Sequence, residues 1–218
     1  KEELQNITWL EITHPEDLDT DLEYFEQFKK GKIDQYSLEK RFIKPDGSEV
    51  WVNMLVAPFC DSEEKYEDHV CIITDITERK KMEAELKYNS EHVLLTGLYN
   101  RTVLERVLDR DATLPLTEKR GLVYINLSAL HALSLRYGFQ YNQFMIKKIA
   151  DSLKTFCHEK CTLFNTYEDR FVFYVKGYKD KNELTAFCKS VAATLNSHLY
   201  IHGITAGIGV IEIDEDLV

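Results

Sequence analysis

Residues 162–175 read TLFNTYEDRFVFYV, and this stretch decides how the second half of the chain folds. Thr162 to Thr166 and Phe171 to Val175 are rich in β-branched and aromatic residues, which favour strands. Between them lie Tyr167, Glu168, Asp169 and Arg170, a connection of the length that joins neighbouring antiparallel strands. The stretch therefore predicts a β-hairpin.

The segments on either side of this hairpin predict alternating helices and strands. Their hydrophobic spacing and glycine breaks indicate a strand, two helices separated by Gly138, then the hairpin, a helix and a last strand. The predicted ranges are Leu122 to Leu127, Ser128 to Tyr137, Asn142 to Phe156, Lys181 to Asn196 and Thr205 to Ile213, with a further helix at Thr102 to Leu108. This order predicts an α+β fold with a ferredoxin-like sheet.

The first part of the chain shows a different pattern. His14-Pro15-Glu16-Asp17 predicts the start of a helix over residues 13–31, because proline fits a first turn and acidic residues suit the positive end of the helix dipole. Gly31 predicts its end. Three strands follow, at Tyr36 to Ile43, Val50 to Phe59 and His69 to Thr74, with a turn at Pro45-Asp46-Gly47 and a charged loop over residues 61–68. The pattern predicts a helix and an antiparallel meander.

A polar helix is predicted after Asp75-Ile76-Thr77-Glu78-Arg79-Lys80. Its apolar residues Met82, Leu86 and Val93 follow a three–four spacing, with Asn89 between the last two. One polar residue in such a seam can fix the register of a coiled coil. A dimeric coiled coil and a plain connecting helix are both compatible with a seam this short.

Composition restricts the classes of partner. The 218 residues carry a formal net charge of -10 and 44% apolar residues, which is typical of a globular protein with an acidic surface. Such a surface repels nucleic acid and anionic lipid, so we expect neither as a partner. No run approaches the roughly 20 apolar residues of a membrane span, and Lys1 to Leu4 lack the pattern of a signal peptide. We expect a cytoplasmic segment, with upstream membrane tethering left open.

The five cysteines predict buried, reduced thiols in apolar surroundings. They are Cys60, Cys71, Cys157, Cys161 and Cys188. An odd number of scattered cysteines does not suggest a disulfide framework. Cys157, His158 and Cys161 resemble half of a metal site, but no second pair stands at zinc-finger spacing, so we expect no metal there.

The first unit resembles the C-terminal part of a PAS domain. The residues that carry the resemblance are His14 to Asp17, Glu39-Lys40-Arg41-Phe42 with Pro45-Asp46-Gly47, Val50-Trp51-Val52, and the closing Asp75-Ile76-Thr77-Glu78-Arg79. PAS domains usually begin with about forty further residues that have no counterpart in this sequence. The resemblance implies a sensory domain, and the missing part of its pocket leaves the ligand unassigned.

The second unit resembles a GGDEF (diguanylate cyclase) domain over about residues 90–218. The most specific match is Leu95-Thr96-Gly97-Leu98-Tyr99-Asn100-Arg101, supported by Ile125 to Ala150 with Arg136-Tyr137-Gly138, and by Thr205 to Val210. About thirty residues at the end of the family's fold have no counterpart. The two resemblances together imply a partial PAS sheet over residues 1–77, a linker helix over 78–92 and a GGDEF-type α/β sandwich over 93–218.

The GGDEF resemblance implies a catalytic site that this chain has lost. Family members join two GTP molecules with magnesium held by carboxylates and phosphates held over a glycine turn. Tyr167 and Glu168 replace the two glycines, and Arg170 replaces the acid after Asp169, which remains a weak metal candidate. Asn126 stands where the family has a metal-binding aspartate.

The other contacts of the family's nucleotide are altered as well. The two guanine-binding positions fall on Ser134 and Gln143. Lys147 keeps a phosphate-binding role in principle, whereas Asp151 replaces a second basic residue. The family's inhibitory product site would need an arginine and an aspartate at Glu159 and Thr162, so we expect that site to be absent.

These residues predict a non-catalytic regulatory module without cofactors. It would act in cyclic di-GMP signalling as a homodimer joined through the PAS unit or the linker helix, and pass a signal to an output domain such as an EAL phosphodiesterase. Two alternatives stay open: a divergent cyclase with residual activity, and a domain that binds GTP without turnover.

Overall fold

The structure is a computed structural model that describes residues 8–59, 69–115 and 117–213. Cys60 and the predicted charged loop over residues 61–68 lie outside these ranges. The chain divides into two compact units, residues 1–86 and residues 87–218.

The first unit is a helical segment followed by an antiparallel sheet. Its elements are α1 (Trp9–Ile12), α2 (Pro15–Lys29), β1 (Tyr36–Ile43), β2 (Glu49–Pro58) and β3 (His69–Asp75), with sheet order β1-β2-β3. The His14 imidazole accepts a hydrogen bond from the Glu16 backbone and caps α2. Gly47 has a φ of 82°, as the turn between β1 and β2 requires. The predicted helix and meander are confirmed.

A buried ion pair lies between α2 and β1. The Asp21 carboxylate and the Lys40 ammonium are both fully buried and form a short hydrogen bond. Lys40 Nζ also lies 4.9 Å from the centre of the Trp9 ring and 4.6 Å from that of Phe42. Removing each ion from water costs several kcal/mol, which is about as much as the attraction between the two charges contributes. Further favourable contacts, such as those with the two rings, therefore help to stabilise a buried pair. The helix and the sheet are therefore joined by charge as well as by apolar contact.

The linker helix is α3 (Thr77–Glu91), and it has an apolar seam exposed to solvent. Met82 is 59% exposed and Leu86 is 69% exposed. The prediction that Val93 continues this seam is wrong, because the helix ends at Glu91 and Val93 begins a tight turn in which its carbonyl accepts from Gly97 N–H at 2.8 Å.

The second unit is an α+β fold with a four-stranded antiparallel sheet. Its elements are α4 (Arg101–Ala112), β4 (Arg120–Asn126), a 3₁₀ turn (Ser128–Leu130), α5 (His131–Tyr137), α6 (Phe139–Lys154), β5 (Cys161–Tyr167), β6 (Arg170–Lys176), α7 (Lys181–Leu199), a 3₁₀ turn (Tyr200–His202) and β7 (Gly207–Ile213). The sheet order β5-β6-β4-β7 is that of a ferredoxin-like fold, which confirms the predicted class. Helix α6 begins three residues before its predicted start, because Gly138 at φ 89° ends α5 and begins α6.

Both faces of this sheet are covered. One face packs against α5, α6 and α7 through a core that includes Ile125, Ile149, Phe173 and Leu195. The other packs against α4 through Leu104, Phe164 and Tyr174, among others. Strands β4 and β6 run side by side, so that Asn126 lies opposite Arg170. This register brings the end of β4 to the turn of the hairpin.

The cysteines correct one expectation. Cys161 is buried, and burial raises the pKa of its thiol to about 12, while Cys188 is half-buried. Cys71 and Cys157 are exposed, contrary to the prediction of buried thiols. Cys71 lies on β3, a strand whose side chains are all exposed. No group of three or more metal-ligating side chains occurs in the described ranges.

Candidate functional site

The hairpin turn consists of Glu168 and Asp169, because Tyr167 pairs with Arg170. Within the described ranges, only glycines have a positive φ. The turn therefore does not use the left-handed conformation that favours glycine, and the strain that two non-glycine residues would then suffer does not arise. A shift in strand register between Asn165 and Tyr167 accompanies the change of shape.

Tyr167 is held between two arginines. Its hydroxyl forms a short hydrogen bond with the guanidinium of Arg101, at the start of α4. The guanidinium carbons of Arg101 and Arg170 lie 5.7 Å and 5.0 Å from the ring centre, within the range of cation–π attraction. Tyr167 is nevertheless half exposed. Tyr167 therefore ties the hairpin to α4.

The carboxylate of Asp169 faces nitrogen atoms. One oxygen lies 3.3 Å from His131 Nε2 and the other lies 3.8 Å from Arg170 Nε, and the side chain is only 11% exposed. The backbone oxygen of Asp169 accepts a hydrogen bond from Leu127 N–H at 2.9 Å. Sequence reasoning missed His131, since nothing marked it except its place three residues before Ser134.

Asn126 lies across from this turn, but its amide oxygen is already engaged. The Oδ1 atom accepts a hydrogen bond from Ser128 N–H at 2.8 Å and closes a turn at the end of β4. Magnesium prefers several oxygen ligands, with carboxylates among them. Here one neutral amide bonds to the backbone, and one carboxylate faces His131 and Arg170. These residues do not fit the magnesium site that the family uses.

One predicted nucleotide-binding residue, Gln143, lies at a cavity beside the hairpin turn. Gln143 on α6 and Glu168 on the turn both line a cavity of about 290 Å³, whose wall includes Leu95, Phe139, Asn142 and Ile146. Ser134 and Lys147 are not among its lining residues; Ser134 is half-buried on α5 and Lys147 is exposed on α6. Asp151 forms an ion pair with Lys154 at 2.9 Å. The three predicted nucleotide-binding residues therefore do not line one common cavity.

Glu159 and Thr162 line a second, separate cavity of about 390 Å³. Its cationic residues are Arg106, Arg110, Lys160 and Lys176. Acids partner most of them: Arg106 lies 2.9 Å from Glu91, and Arg110 and Lys176 both contact Asp111. The positive charge of this cavity is therefore largely balanced.

The residues 95–101 hold the hairpin and α4 in place. The Thr96 hydroxyl donates to Asn165 Oδ1 at 2.9 Å, and Asn165 N–H donates to the Tyr99 carbonyl at 2.8 Å. Asn100 caps α4 by accepting from Val103 N–H at 3.2 Å. Gly97 has a φ of 66°. The motif is thus a structural element next to the site.

Comparison with protein families gives two matches along the chain. A PAS fold (PAS_3) matches residues 1–73, and the diguanylate cyclase GGDEF domain matches residues 90–216. The chain is 33% identical over 97 residues to "Probable diguanylate cyclase DgcE" of Escherichia coli (strain K12), which is 44% of this chain and 9% of that protein. It is 26% identical over 184 residues to the uncharacterized protein y4lL of Sinorhizobium fredii, which is 80% of this chain and 22% of that protein. The chain thus spans less than a quarter of either relative.

Solved structures show the same fold at low identity. The GGDEF domain of FimX from Pseudomonas aeruginosa matches with a TM-score of 0.50 and 23% identity, over 57% of this chain and 81% of that one. The S helix-GGDEF-EAL part of LapD from Vibrio cholerae matches with a TM-score of 0.52 and 16% identity, over 61% and 31%. No helix in the described ranges is both long and apolar enough to span a bilayer.

Proposed function

Because this chain belongs to the diguanylate cyclase GGDEF family, we propose that it is a non-catalytic member, a regulatory module of cyclic di-GMP signalling. The observation that carries the proposal is the set of contacts that the side chains of Asn126 and Asp169 make. The first is neutral and bonded to the backbone, and the second lies against His131 and Arg170. Neither group is available as a carboxylate ligand for the magnesium ion that would neutralise the charge of a triphosphate.

The residues of the hairpin turn support the same proposal, because they are unfavourable for binding phosphate. Glu168 is exposed at the rim of the cavity, and a carboxylate there repels a polyphosphate. Tyr167 fills space beside it and is held by two arginines. The two guanidinium groups beside the turn, those of Arg101 and Arg170, are thereby engaged with a side chain of the protein.

The proposed role is to relay a signal from the PAS unit over residues 1–77, through the linker over 78–92, to the GGDEF unit over 93–218. We propose that the relay is a homodimer in contact through α3, since Met82 and Leu86 form an exposed apolar seam on a polar helix. An EAL phosphodiesterase is the output domain that we propose for the whole protein, with a cytoplasmic location for this segment.

Catalysis is tested by incubation of the chain with GTP and magnesium, beside an active diguanylate cyclase as positive control. We expect no cyclic di-GMP or pyrophosphate above the level of Asp169→Ala. Turnover that Asp169→Ala abolishes would establish a divergent cyclase and overturn the proposal.

The dimer is tested separately by light scattering. Met82→Glu with Leu86→Glu should give a monomer, because two charges in an apolar seam cannot be desolvated. Ala84→Glu is the matched control, since it adds a charge to another face of the same helix. A monomeric unsubstituted chain, or a dimer that survives the double substitution, contradicts dimerisation through α3.

A further inference from the structure

A cluster of aromatic rings lies on the helical side of the second unit. It is formed by Tyr137 at the end of α5, Tyr141 and Phe144 on α6, and His202 in the 3₁₀ turn after α7. The ring centre of Tyr141 lies 5.1 Å from that of Tyr137, 5.8 Å from that of His202 and 6.3 Å from that of Phe144. A hydrogen bond of 3.2 Å joins Tyr141 Oη and His202 Nε2. The rings therefore form one continuous surface across three elements.

Much of this surface is exposed, although it is largely apolar. Tyr137 is 49% exposed and Phe144 is 58% exposed, and the turn with His202 also carries Tyr200 at 84% and Ile201 at 79%. Large side chains have roughly 150–250 Å² of surface, so the exposed parts together amount to several hundred Å². Apolar patches of this size mark binding sites for proteins or membranes. We call the patch formed by Tyr137, Tyr141, Phe144, Tyr200, Ile201 and His202 the aromatic surface.

Acidic residues are missing from the sequence around the aromatic surface. The chain contains 37 aspartates and glutamates, yet none occurs within residues 127–150 or 184–211. These two stretches form α5, most of α6 and α7, and the turn after α7. Arg136, Lys147 and Lys148 lie within them and are exposed, and among the described residues no carboxylate pairs with any of the three. The local charge is therefore positive in a chain whose net charge is -10.

Two of these cations lie close to the aromatic surface. The guanidinium carbon of Arg136 is 5.2 Å from the ring centre of Tyr137. Lys148 follows Phe144 by four residues, which places it one turn further along the same face of α6. Burial and the nearby charge of Lys148 both lower the pKa of His198 on α7. Positive charge therefore borders the rings on both α5 and α6.

Protruding apolar side chains next to cations fit an anionic lipid surface. Such side chains enter the headgroup region, while the polar ends of tyrosine and lysine stay in water. Each lysine or arginine near an anionic leaflet strengthens binding about fivefold. Acids elsewhere on the protein are screened beyond about 8 Å at physiological ionic strength, so the net charge does not decide the contact. A second copy fits less well, because a symmetric contact would bring the same cations face to face.

We propose that the aromatic surface binds peripherally to an anionic lipid bilayer. Tyr200 and Ile201 enter the headgroup region, and Arg136, Lys147 and Lys148 lie against anionic headgroups. The net charge predicts repulsion between such lipids and the chain as a whole, and this surface is a local exception. The contact does not depend on the proposed loss of catalysis, and it holds the second unit at a membrane surface.

Flotation of the full chain with lipid vesicles tests the proposal. We expect the chain to bind vesicles of equal parts phosphatidylcholine and phosphatidylglycerol at least about tenfold more tightly than vesicles of phosphatidylcholine alone. Raising the salt concentration should weaken this binding, because the attraction is electrostatic in part. Absence of binding to the anionic vesicles at low salt would overturn the proposal.

The apolar part of the contact is located by a matched pair of exposed tyrosines. Tyr200→Ser combined with Ile201→Ser should weaken vesicle binding at least about tenfold. Tyr24→Ser changes a tyrosine that is 41% exposed on α2 and should have no effect. Because Tyr200 and Ile201 are both about four-fifths exposed, their replacement should leave the fold intact, which circular dichroism verifies.

The cationic part is located by a pair of exposed lysines. Lys148→Gln should weaken binding to the anionic vesicles about fivefold and leave binding to phosphatidylcholine unchanged. Lys179→Gln removes the same charge before α7, next to Asp180, and should change neither. Equal effects of the two variants would contradict the assigned position of the contact.

The remaining outcomes separate lipid from protein and the two proposals from each other. Self-association without lipid that Tyr200→Ser with Ile201→Ser abolishes, together with no vesicle binding, would identify the aromatic surface as a protein interface and overturn the lipid contact. Synthesis of cyclic di-GMP would overturn the proposed function and leave the lipid contact standing.

Discussion

Strands β4 and β6 pair from Arg120 opposite Lys176 to Asn126 opposite Arg170, and the two ends of this pair use polar residues differently. At the hairpin end, the carboxylate of Asp169 makes only longer contacts with charged groups, 3.3 Å from His131 Nε2 and 3.8 Å from Arg170 Nε. At the far end, the buried carboxylate of Asp111 accepts hydrogen bonds from Tyr174 Oη at 3.0 Å, Arg110 Nε at 3.1 Å and Lys176 Nζ.

The far end of the strand pair contains a buried polar cluster around Asp111. Arg120 is buried and donates to the backbone carbonyls of Asp111 and Pro115. Burial by itself would raise the pKa of Asp111, but the hydrogen bonds from Lys176, Tyr174 and Arg110 outweigh it and lower that pKa. The closest ion pair and hydrogen bonds to a carboxylate on this strand pair therefore lie at the far end, where they stabilise the contact between α4 and the sheet. Among the described residues, the hairpin end contains no comparable set of close ion pairs around one carboxylate.

The largest effect should follow from Asp111→Asn. The change leaves Lys176 and Tyr174 without their charged partner, and we expect a loss of about 3 kcal/mol in the free energy of unfolding. Urea denaturation measures it. Asp109→Asn, two residues earlier and exposed, is the control and should change stability by less than about 0.5 kcal/mol. Equal losses of stability for Asp111→Asn and Asp109→Asn would show that the buried cluster at the far end does not stabilise the fold.

A smaller loss should follow from Asn165→Ala. Asn165 is 1% exposed, accepts from Thr96 and donates to the carbonyls of Tyr167 and Arg170. We expect a loss of about 2 kcal/mol in unfolding free energy, since buried backbone groups become unpaired. The exposed Asn196→Ala provides the comparison in the same denaturation series. An unchanged stability would show that the hairpin does not depend on this amide.

Lowering the pH should reduce the contribution of the Asp111 carboxylate to the free energy of unfolding. Its pKa is lowered in the folded state from a model-peptide value of 3.8, so its contribution is fully present above that value and is lost as pH falls through the folded pKa. The stability gap between the unsubstituted protein and Asp111→Asn should therefore narrow between pH 5 and pH 3, by at most about 1 kcal/mol. A gap independent of pH would mean that the carboxylate is not stabilised in its charged form.

The smallest effect should follow from Asp169→Asn at the hairpin end. Its carboxylate lies 3.3 Å from His131, a histidine whose side chain is 60% exposed, and such pairs contribute little. We expect a change of less than about 1 kcal/mol in unfolding free energy. A loss as large as that of Asp111→Asn would show that the two ends are equivalent.

The sequence allowed the strands of both sheets to be predicted closely, because their apolar patterns report directly on burial. β1 coincides with its predicted range, and each of the two hairpin strands is longer than predicted by one residue at each end. Pattern alone could not show that α3 ends before Val93, since the turn that ends it depends on a hydrogen bond from Gly97.

The site was predictable residue by residue but not in its contacts. Resemblance identified Asn126, Asp169 and Gln143, yet the proximity of His131 to Asp169 depends on how α5 meets the hairpin. The sequence also could not predict that the amide oxygen of Asn142 is buried without a hydrogen-bond partner, since this depends on packing between distant segments. The burial of cysteines was misjudged for Cys71 because the composition of a strand does not show whether a neighbour covers it.

The exposed seam of α3 has a consequence for how the helix itself can be observed. A helix of 15 residues with little apolar contact is marginal when isolated in water. Its order therefore depends on whatever shields Met82 and Leu86, and becomes a function of protein concentration if a second copy shields them. The helical content measured along a dilution series would then follow the dissociation of the dimer, without any added label.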